Sequence, residues 1–133
     1  MLDTTKVTDW LDAYVHAWKT YDPRAIGDLF AEDAAYSYTP YDEPIHGREA
    51  IVAAWLRDRD APGTYDAHYE PIVIEGNLAV VNGRSRYTEE DGVTPRTDFD
   101  NIFVLRFDDG RCTEYREWYM ERPKGKGRAA TET

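Results

Sequence analysis

The segment from residue 14 to residue 55 constrains the fold of this 133-residue chain more than any other part of it. A helix ends there at Asp22-Pro23, a second short helix follows, and a tyrosine-rich strand leads to residues 44–49, which open a third helix. Everything after the third helix has the alternating apolar pattern that is typical of β-strands.

The first helix is predicted over residues 7–21, because its apolar residues recur at steps of three and four. Asp22 supplies an N-cap and Pro23 a first-turn proline for a second helix, which we expect to end within residues 31–33. Residues 34–39 are predicted as a strand and 40–47 as a loop. The third helix is predicted over 48–60, where Ala61-Pro62-Gly63 stops it.

Four further strands are predicted over residues 65–75, 79–88, 97–107 and 112–121, joined by short turns into an antiparallel meander. If the long hairpin turns about Gly92, Arg84 lies opposite Asp100 and Arg86 opposite Asp98 on one face. The same register predicts a mostly apolar concave face that carries Val81, Gly83, Ser85, Phe99, Asn101, Phe103 and Leu105.

Composition excludes several classes of function. The 26 acidic residues outnumber the 16 basic ones and give a net charge of −10, which disfavours binding to nucleic acid or to an anionic membrane. No apolar run approaches the roughly 20 residues needed to span a bilayer. Cys112 is the only cysteine and excludes an internal disulfide. We therefore expect a cytoplasmic protein with one domain over residues 1–121 and a disordered tail over 122–133.

The helical segment and its Ile45-His46-Gly47-Arg48-Glu49 run resemble the nuclear transport factor 2-like superfamily, which has SnoaL-like, steroid isomerase-like and scytalone dehydratase-like branches. The resemblance covers residues 5–121. It implies a cone-shaped α+β barrel, in which a curved, mostly antiparallel sheet wraps around three N-terminal helices and usually encloses a pocket. It also implies a homodimer that forms through the outer face of the sheet.

Comparison with the ketosteroid isomerases places Tyr14 at the position of that family's oxyanion-hole tyrosine. However, Tyr38 stands where the isomerases have their aspartate base, and Phe103 stands where they have a protonated aspartate donor. A neutral tyrosine is a poor base near pH 7, so steroid isomerisation by that mechanism is disfavoured.

Comparison with scytalone dehydratase places Tyr38, His68 and Asn101 at polar pocket positions of that family. Trp18 replaces its other tyrosine, and Lys19 replaces the aspartate that orients a histidine. The resemblance implies that His68 accepts a proton next to a ketone while tyrosines polarise the carbonyl group.

The position of Glu117 decides two further comparisons. Polyketide cyclases of the SnoaL type rely on an acidic residue in the pocket, and limonene epoxide hydrolases rely on an Asp-Arg-Asp set. The resemblance places Tyr115, Glu117 and Tyr119 on the concave side. A bulge at the Asp109-Gly110 turn would reverse that facing, so the orientation of Glu117 stays open.

Two hypotheses about function follow. The first is a cofactor-free lyase (dehydratase) or isomerase/cyclase that acts on a small, mostly apolar molecule. Its catalytic residues are His68, Tyr38, Asn101 and Tyr14, and its substrate-binding residues are Trp18, Trp55, Phe99, Phe103, Tyr115, Glu117 and Tyr119. No phosphate-loop, zinc or serine-hydrolase motif is present in the sequence, so we expect neither a cofactor nor a metal. The second hypothesis is a non-catalytic ligand-binding or dimeric interaction module, in which His68 and Asn101 only satisfy each other's hydrogen bonds.

Overall fold

The computed structural model describes residues 1–123. Three helices and six strands follow one another as α1 (Thr4–Thr20), α2 (Pro23–Asp28), β1 (Phe30–Ser37), β2 (Ile45–His46), α3 (Arg48–Arg57), β3 (Tyr65–Glu75), β4 (Leu78–Thr88), β5 (Pro95–Asp108) and β6 (Arg111–Glu121). The strands form one curved, open sheet in the order β2-β1-β6-β5-β4-β3. Among the strands within residues 1–123, only β1 and β6 pair in parallel. The predicted α+β class with a mostly antiparallel sheet is confirmed.

Short polar side chains and a proline set the helix boundaries. Asp3 caps α1 by accepting a hydrogen bond from the backbone N–H of Lys6, which extends this helix three residues before the predicted start. Asp22 caps α2 in the same way, with Pro23 in its first turn, as the sequence predicts. Gly47 opens α3 at φ 93°, a conformation that glycine adopts without a side-chain penalty.

The second helix is shorter than predicted, and β1 begins earlier. The apolar run Ile26, Leu29 and Phe30 has helical spacing, but α2 ends at Asp28 and Phe30 starts a strand. The cause is tertiary: the backbone N–H of Cys112 donates to the carbonyl of Leu29, and Arg48 Nε donates to the carbonyl of Phe30. These bonds fix the chain against β6 and α3. The two-residue strand β2, inside the predicted loop, is an element that sequence reasoning missed.

The predicted hairpin register is confirmed. Arg84 lies opposite Asp100 and Arg86 opposite Asp98 across β4 and β5. The ion pairs differ from this register at one position, because both arginines contact Asp98 while Asp100 binds Arg122. Between β5 and β6 the register shifts after Arg106, so Thr113 is an extra residue in β6. Because of this bulge, Cys112 and Tyr115 are both fully buried although they are three residues apart.

The core lies between the concave face of the sheet and the helices, and it is rich in aromatic side chains. The Tyr115 ring stacks on that of Tyr36 at 4.2 Å between ring centres, and Trp10 and Tyr14 of α1 pack beside them. No helix within residues 1–123 is long and apolar enough to cross a membrane. The disordered tail is predicted over residues 122–133. All of it except Arg122 and Pro123 lies outside the described residues.

Candidate active site

One cavity of about 350 Å³ lies between the helices and the concave face of the sheet. Its walls are mainly aromatic, with three carboxylates and two small polar side chains. The lining residues are Tyr14, Trp18, Tyr21, Tyr36, Tyr38, Trp55, Asp58, Asp60, Tyr69, Ser85, Tyr87, Phe99, Asn101, Glu117 and Tyr119. Tyr14, Tyr36 and Tyr69 are buried, whereas Tyr38 and Tyr119 are exposed at the rim. The volume suits a small organic molecule.

The bulge in β6 turns the side chain of Glu117 into this cavity. After Thr113, alternate residues of the strand face the helices, so Tyr115 lies in the core while Glu117 and Tyr119 line the cavity. The bulge lies at Thr113 rather than at the Asp109-Gly110 turn, and Glu117 has the concave facing that the resemblance implied, not the reversed one.

Hydrogen bonds hold the Glu117 carboxylate from both sides. The Tyr115 hydroxyl donates to Oε1 at 2.8 Å, and Asn101 Nδ2 donates to Oε2 at 3.0 Å. Asn101 Oδ1 in turn accepts from the Ser85 hydroxyl at 3.0 Å, and the hydroxyls of Tyr14 and Tyr115 are 3.0 Å apart. The five side chains form a continuous chain from α1 across the sheet to β4.

The direction of these bonds follows from counting protons. A phenol carries one proton, and Tyr115 gives its own to Glu117, so Tyr14 is the donor in the Tyr14–Tyr115 pair. Asn101 must present its NH₂ group to Glu117, because its oxygen accepts from Ser85. Both groups that touch Glu117 are therefore donors, and they match an ionised carboxylate that keeps a free lone pair on each oxygen.

Burial raises the pKa of Glu117 to about 7, and the hydrogen bonds from Tyr115 and Asn101 oppose that rise. Desolvation penalises the charged form, whereas donors stabilise it, so the two effects leave the group close to half ionised at neutral pH. A carboxyl group with such a pKa can both take and return a proton near pH 7.

The phenols around the cavity remain neutral. Burial raises the pKa of Tyr38 to about 12, and it raises the pKa values of Tyr14, Tyr36 and Tyr69 well above their ordinary value. Within residues 1–123 the Tyr38 hydroxyl makes no hydrogen bond to the protein, although its ring contacts that of Tyr36. Tyr38 is therefore a neutral phenol whose proton is available to a ligand.

Most of the side chains that the sequence selected come together around this cavity. Those that line it are Tyr14, Trp18, Tyr38, Trp55, Phe99, Asn101, Glu117 and Tyr119. Phe103 and Tyr115 do not line it, because they are buried in the core behind its wall.

His68 lies elsewhere. In β3 the inward side chains are Tyr65, Ala67 and Tyr69, so His68 is exposed on the opposite face, paired in register with Arg84. This corrects the expectation that His68 faces the cavity. It also corrects the alternative in which His68 and Asn101 bond each other, since the partners of Asn101 are Ser85 and Glu117.

Sequence reasoning missed several lining residues. Strand alternation through Tyr65 and Ala67 is a signal that would have found Tyr69. Asp58 and Asp60 follow α3 in a loop, where no periodicity marks the facing of a side chain. Tyr21, Tyr36 and Tyr87 belong to helix or strand patterns that also suit a closed core.

Comparison with known proteins supports the fold. An NTF-2 like protein of unknown function from Burkholderia xenovorans LB400 matches with a TM-score of 0.69 and 18% identity, over 97% of this chain and 94% of that one. An LEH-like epoxide hydrolase from M. tuberculosis matches with a TM-score of 0.65 and 18% identity, over 88% of this chain and 84% of that one. Comparison with curated proteins gives no match.

These structural likenesses show the fold class, an NTF2-like α+β fold. The family follows from the sequence: the model of the SnoaL-like domain matches residues 11–115, and the chain belongs to this family. The resemblance inferred from the helical segment is therefore confirmed.

The raised pKa of Glu117 predicts a specific dependence of stability on pH. The folded state binds a proton with a pKa of about 7, whereas an unfolded glutamate titrates near 4.3. Between these values the folded state holds more protons, so Glu117 makes the free energy of unfolding fall as pH rises. Relative to Glu117→Gln, the wild type should lose on the order of 2 kcal/mol between pH 5 and pH 8.

Urea unfolding of both proteins at several pH values measures this difference. Glu70→Gln, at an exposed position on the outer face of β3, is the matched control and should run parallel to the wild type. Parallel curves for the wild type and Glu117→Gln would contradict the raised pKa.

Proposed function

We propose that this protein is a cofactor-independent enzyme, a lyase or an isomerase/cyclase, that moves a proton on a small and mostly apolar ketone or hydroxylated ring compound. The observation that carries the proposal is Glu117: a carboxylate in an aromatic cavity, held by Tyr115 and Asn101, with its pKa raised to about 7 by burial. Perturbed carboxyl groups in clefts are typical of acid–base catalysis.

In the proposed reaction, a free lone pair of the Glu117 carboxylate accepts a proton from the carbon next to the substrate's carbonyl group. The electron pair of the broken C–H bond moves onto the carbonyl oxygen, where the neutral Tyr38 hydroxyl donates a hydrogen bond to the developing enolate. In a ketone with a carbon–carbon double bond next to the α carbon, the protonated Glu117 returns the proton to the far carbon of that double bond as the carbonyl re-forms and the double bond moves, which completes an isomerisation. Alternatively, in a ketone with a hydroxyl group on the β carbon, it protonates that hydroxyl as the carbonyl re-forms, the C–O bond breaks and water departs, which completes a dehydration.

The neighbours of Glu117 act by position. Asn101 and Tyr115 fix the plane of the Glu117 carboxyl group. Tyr14 donates its hydroxyl proton to Tyr115, so the proton of Tyr14 is not available to the substrate. This assigns Tyr14 and Asn101 a positioning role in place of the catalytic one that the sequence suggested. His68 has no part in the proposal.

A comparison within the family also favours Glu117. Polyketide cyclases of the SnoaL type rely on an acidic pocket residue, and Glu117 supplies one. An epoxide hydrolase function, as in the neighbour from M. tuberculosis, has less support. Limonene epoxide hydrolases use an Asp-Arg-Asp set, and no arginine from residues 1–123 lines this cavity.

The competing function is a non-catalytic ligand carrier. It draws on the same network, because Tyr115 and Asn101 already satisfy Glu117 without a substrate. A carrier would bind ring compounds without exchanging their protons. The distinguishing experiment incubates the protein in D₂O with cyclic ketones such as 2-tetralone and follows the loss of the α-proton signals by NMR. Catalysed exchange that depends on Glu117 supports the enzyme, whereas binding without exchange supports the carrier.

We further propose that two copies associate through the outer face of the sheet. Apolar side chains lie there across neighbouring strands: Ile102 is paired with Trp118, and Met120 is 75% exposed. An exposed apolar patch of this kind commonly marks an interface.

Ile102→Asp should therefore convert a dimer into a monomer, because it buries a charge at the centre of the interface. Light scattering after size-exclusion chromatography measures the mass against the 15.4 kDa of one chain. Val93→Asp, in the exposed loop between β4 and β5, is the control and should leave the mass unchanged. A wild-type protein that runs as a monomer at micromolar concentration would contradict the dimer.

A further inference from the structure

The chemical character of the cavity wall restricts what can enter it. Ten of the fifteen lining residues are aromatic and three are acidic. From the described residues 1–123, no lysine, arginine, histidine or aliphatic side chain lines it. Aromatic faces carry negative potential and attract cations, as carboxylates do. An anionic substrate would meet three carboxyl groups and no cationic side chain among the lining residues.

Asp60 is the clearest point of attraction. It is half-buried in the loop after α3, and its Oδ2 accepts a hydrogen bond from Trp18 Nε1 at 3.0 Å. Its backbone N–H donates to the Tyr21 hydroxyl at 2.8 Å. No ion pair to Asp60 occurs among the side chains of residues 1–123. This carboxylate therefore keeps its charge uncompensated inside the cavity.

Aromatic rings surround that carboxylate. Trp18, Tyr21 and Tyr87 all line the cavity, and the ring centres of Trp18 and Tyr87 are 6.1 Å apart. Burial, together with the charge of Asp60, raises the pKa of Tyr87, so this phenol stays neutral. Tyr65 stacks on one face of Trp18 at 4.4 Å between ring centres, and the rest of the Trp18 ring, with Tyr21, Tyr87 and Asp60, supplies the elements of a site for an ammonium group.

Two rings of the proposed site already contact cationic side chains of the protein. The guanidinium of Arg59 lies over the Tyr21 ring at 5.4 Å, and that of Arg96 lies over the Tyr87 ring at the same distance. Arg57 pairs with Asp58 at 3.5 Å, where both side chains are exposed. Arg59 and Arg96 thus each contact one ring of the proposed site and Arg57 pairs with Asp58, but among the described residues none of the three lines the cavity or forms an ion pair with Asp60.

We propose that the substrate of this protein is an organic cation: a ring compound with a protonated or quaternary amine, whose nitrogen sits beside Asp60 among Trp18, Tyr21 and Tyr87. This inference rests on the proposed function for the reacting end of the molecule, which Glu117 contacts in the same cavity. It adds the substrate class, and it disfavours carboxylates, phosphates and other anions as substrates.

Two probes of the same shape test the charge preference without any turnover. Phenyltrimethylammonium and tert-butylbenzene differ in a positive nitrogen against a neutral carbon. Quenching of tryptophan fluorescence gives the dissociation constant of each. The cation should bind at least tenfold more tightly to the wild type, in line with the strength of cation–π and ion-pair contacts in a partly desolvated site.

Asp60→Asn should reduce that preference to threefold or less, because the amide keeps an oxygen acceptor for Trp18 but loses the charge. Asp12→Asn, at an exposed position of α1, is the matched control and should keep the full preference. Circular dichroism establishes that each variant is folded, and Asp58→Asn provides a second removal of charge from the lining.

Equal affinity of the two probes for the wild type would overturn the inference, and so would an undiminished preference in both the Asp60 and the Asp58 variants. Neither result touches Glu117, because proton exchange of the neutral ketone 2-tetralone tests that residue separately. Absence of exchange by the wild type, together with an intact preference for the cation, would instead reject the proposed reaction and keep the cation site.

Discussion

Replacing Glu117 by glutamine is expected to lower the rate at which the protein exchanges the α-protons of 2-tetralone by about 10³-fold, within the range for loss of a general base. The amide has nearly the same shape and can still accept the hydrogen bond from Tyr115, but it takes up no proton near neutral pH. The effect should appear in kcat, because the aromatic walls that hold the ring are unchanged.

The assay follows the NMR signal of the α-protons in D₂O at several probe concentrations, so that kcat and KM are separated. Glu70→Gln on the outer face is the matched control and should exchange at the wild-type rate. Titration of tryptophan fluorescence should show that Glu117→Gln binds 2-tetralone within about threefold of the wild type. An exchange rate within threefold of the wild type in Glu117→Gln would remove this residue from the reaction.

The second large effect is expected on stability, at Gly83 in β4. This residue pairs with Tyr69 of β3 and with Asn101 of β5, on the concave face. A Cβ atom there would lie 2.1 Å from the carbonyl oxygen of His68 and 2.8 Å from the Tyr69 Cα. Both are backbone atoms, so no side-chain rotation relieves the contact and β3 itself must move. Gly83→Ala should destabilise the fold by about 3 kcal/mol.

Urea unfolding measures this loss, and Gly27→Ala is its control. At Gly27 in α2 the nearest atom to an added Cβ is the Arg48 Cδ, at an ordinary 3.5 Å. That change should leave the free energy of unfolding within about 1 kcal/mol of the wild type, because alanine is the better helix former. A loss of less than about 1 kcal/mol in the free energy of unfolding for Gly83→Ala would mean that the β3 backbone moves away from the added Cβ at little cost. The cavity wall at Tyr69 would then be less rigid than its packing suggests.

The sheet register could be predicted because it depends on local information. The turn at Gly92 fixes which residues of β4 and β5 are opposite each other, and the pairs Arg84–Asp100 and Arg86–Asp98 agree with it. The facing of Glu117 could not be predicted in that way. It depends on a bulge at Thr113, next to the point where the backbone of Cys112 bonds to the carbonyl of Leu29 in the helical half of the chain.

For His68, the local alternation of the strand indicates the correct facing, whereas the similarity to a distant family predicts the wrong one. Similarity to the dehydratase pocket suggested an inward histidine, but the alternation of Tyr65, Ala67 and Tyr69 turns it outward. Asp60 illustrates a third case. It lies in a loop, and only the folded arrangement of Trp18 and Tyr21 brings it to the cavity.

The proposed reaction depends on the ionisation of one carboxyl group, which can be measured without knowing the substrate. Protein labelled with ¹³C at the glutamate side-chain carboxyl carbon gives one NMR signal for each glutamate. The signal of Glu117 is the one that is missing from the spectrum of Glu117→Gln. Its chemical shift, followed against pH, reports the pKa directly. A midpoint of about 7 is the result that we predict. A midpoint near 4.3, the value of an exposed glutamate, would contradict the role of Glu117 as a base with a raised pKa.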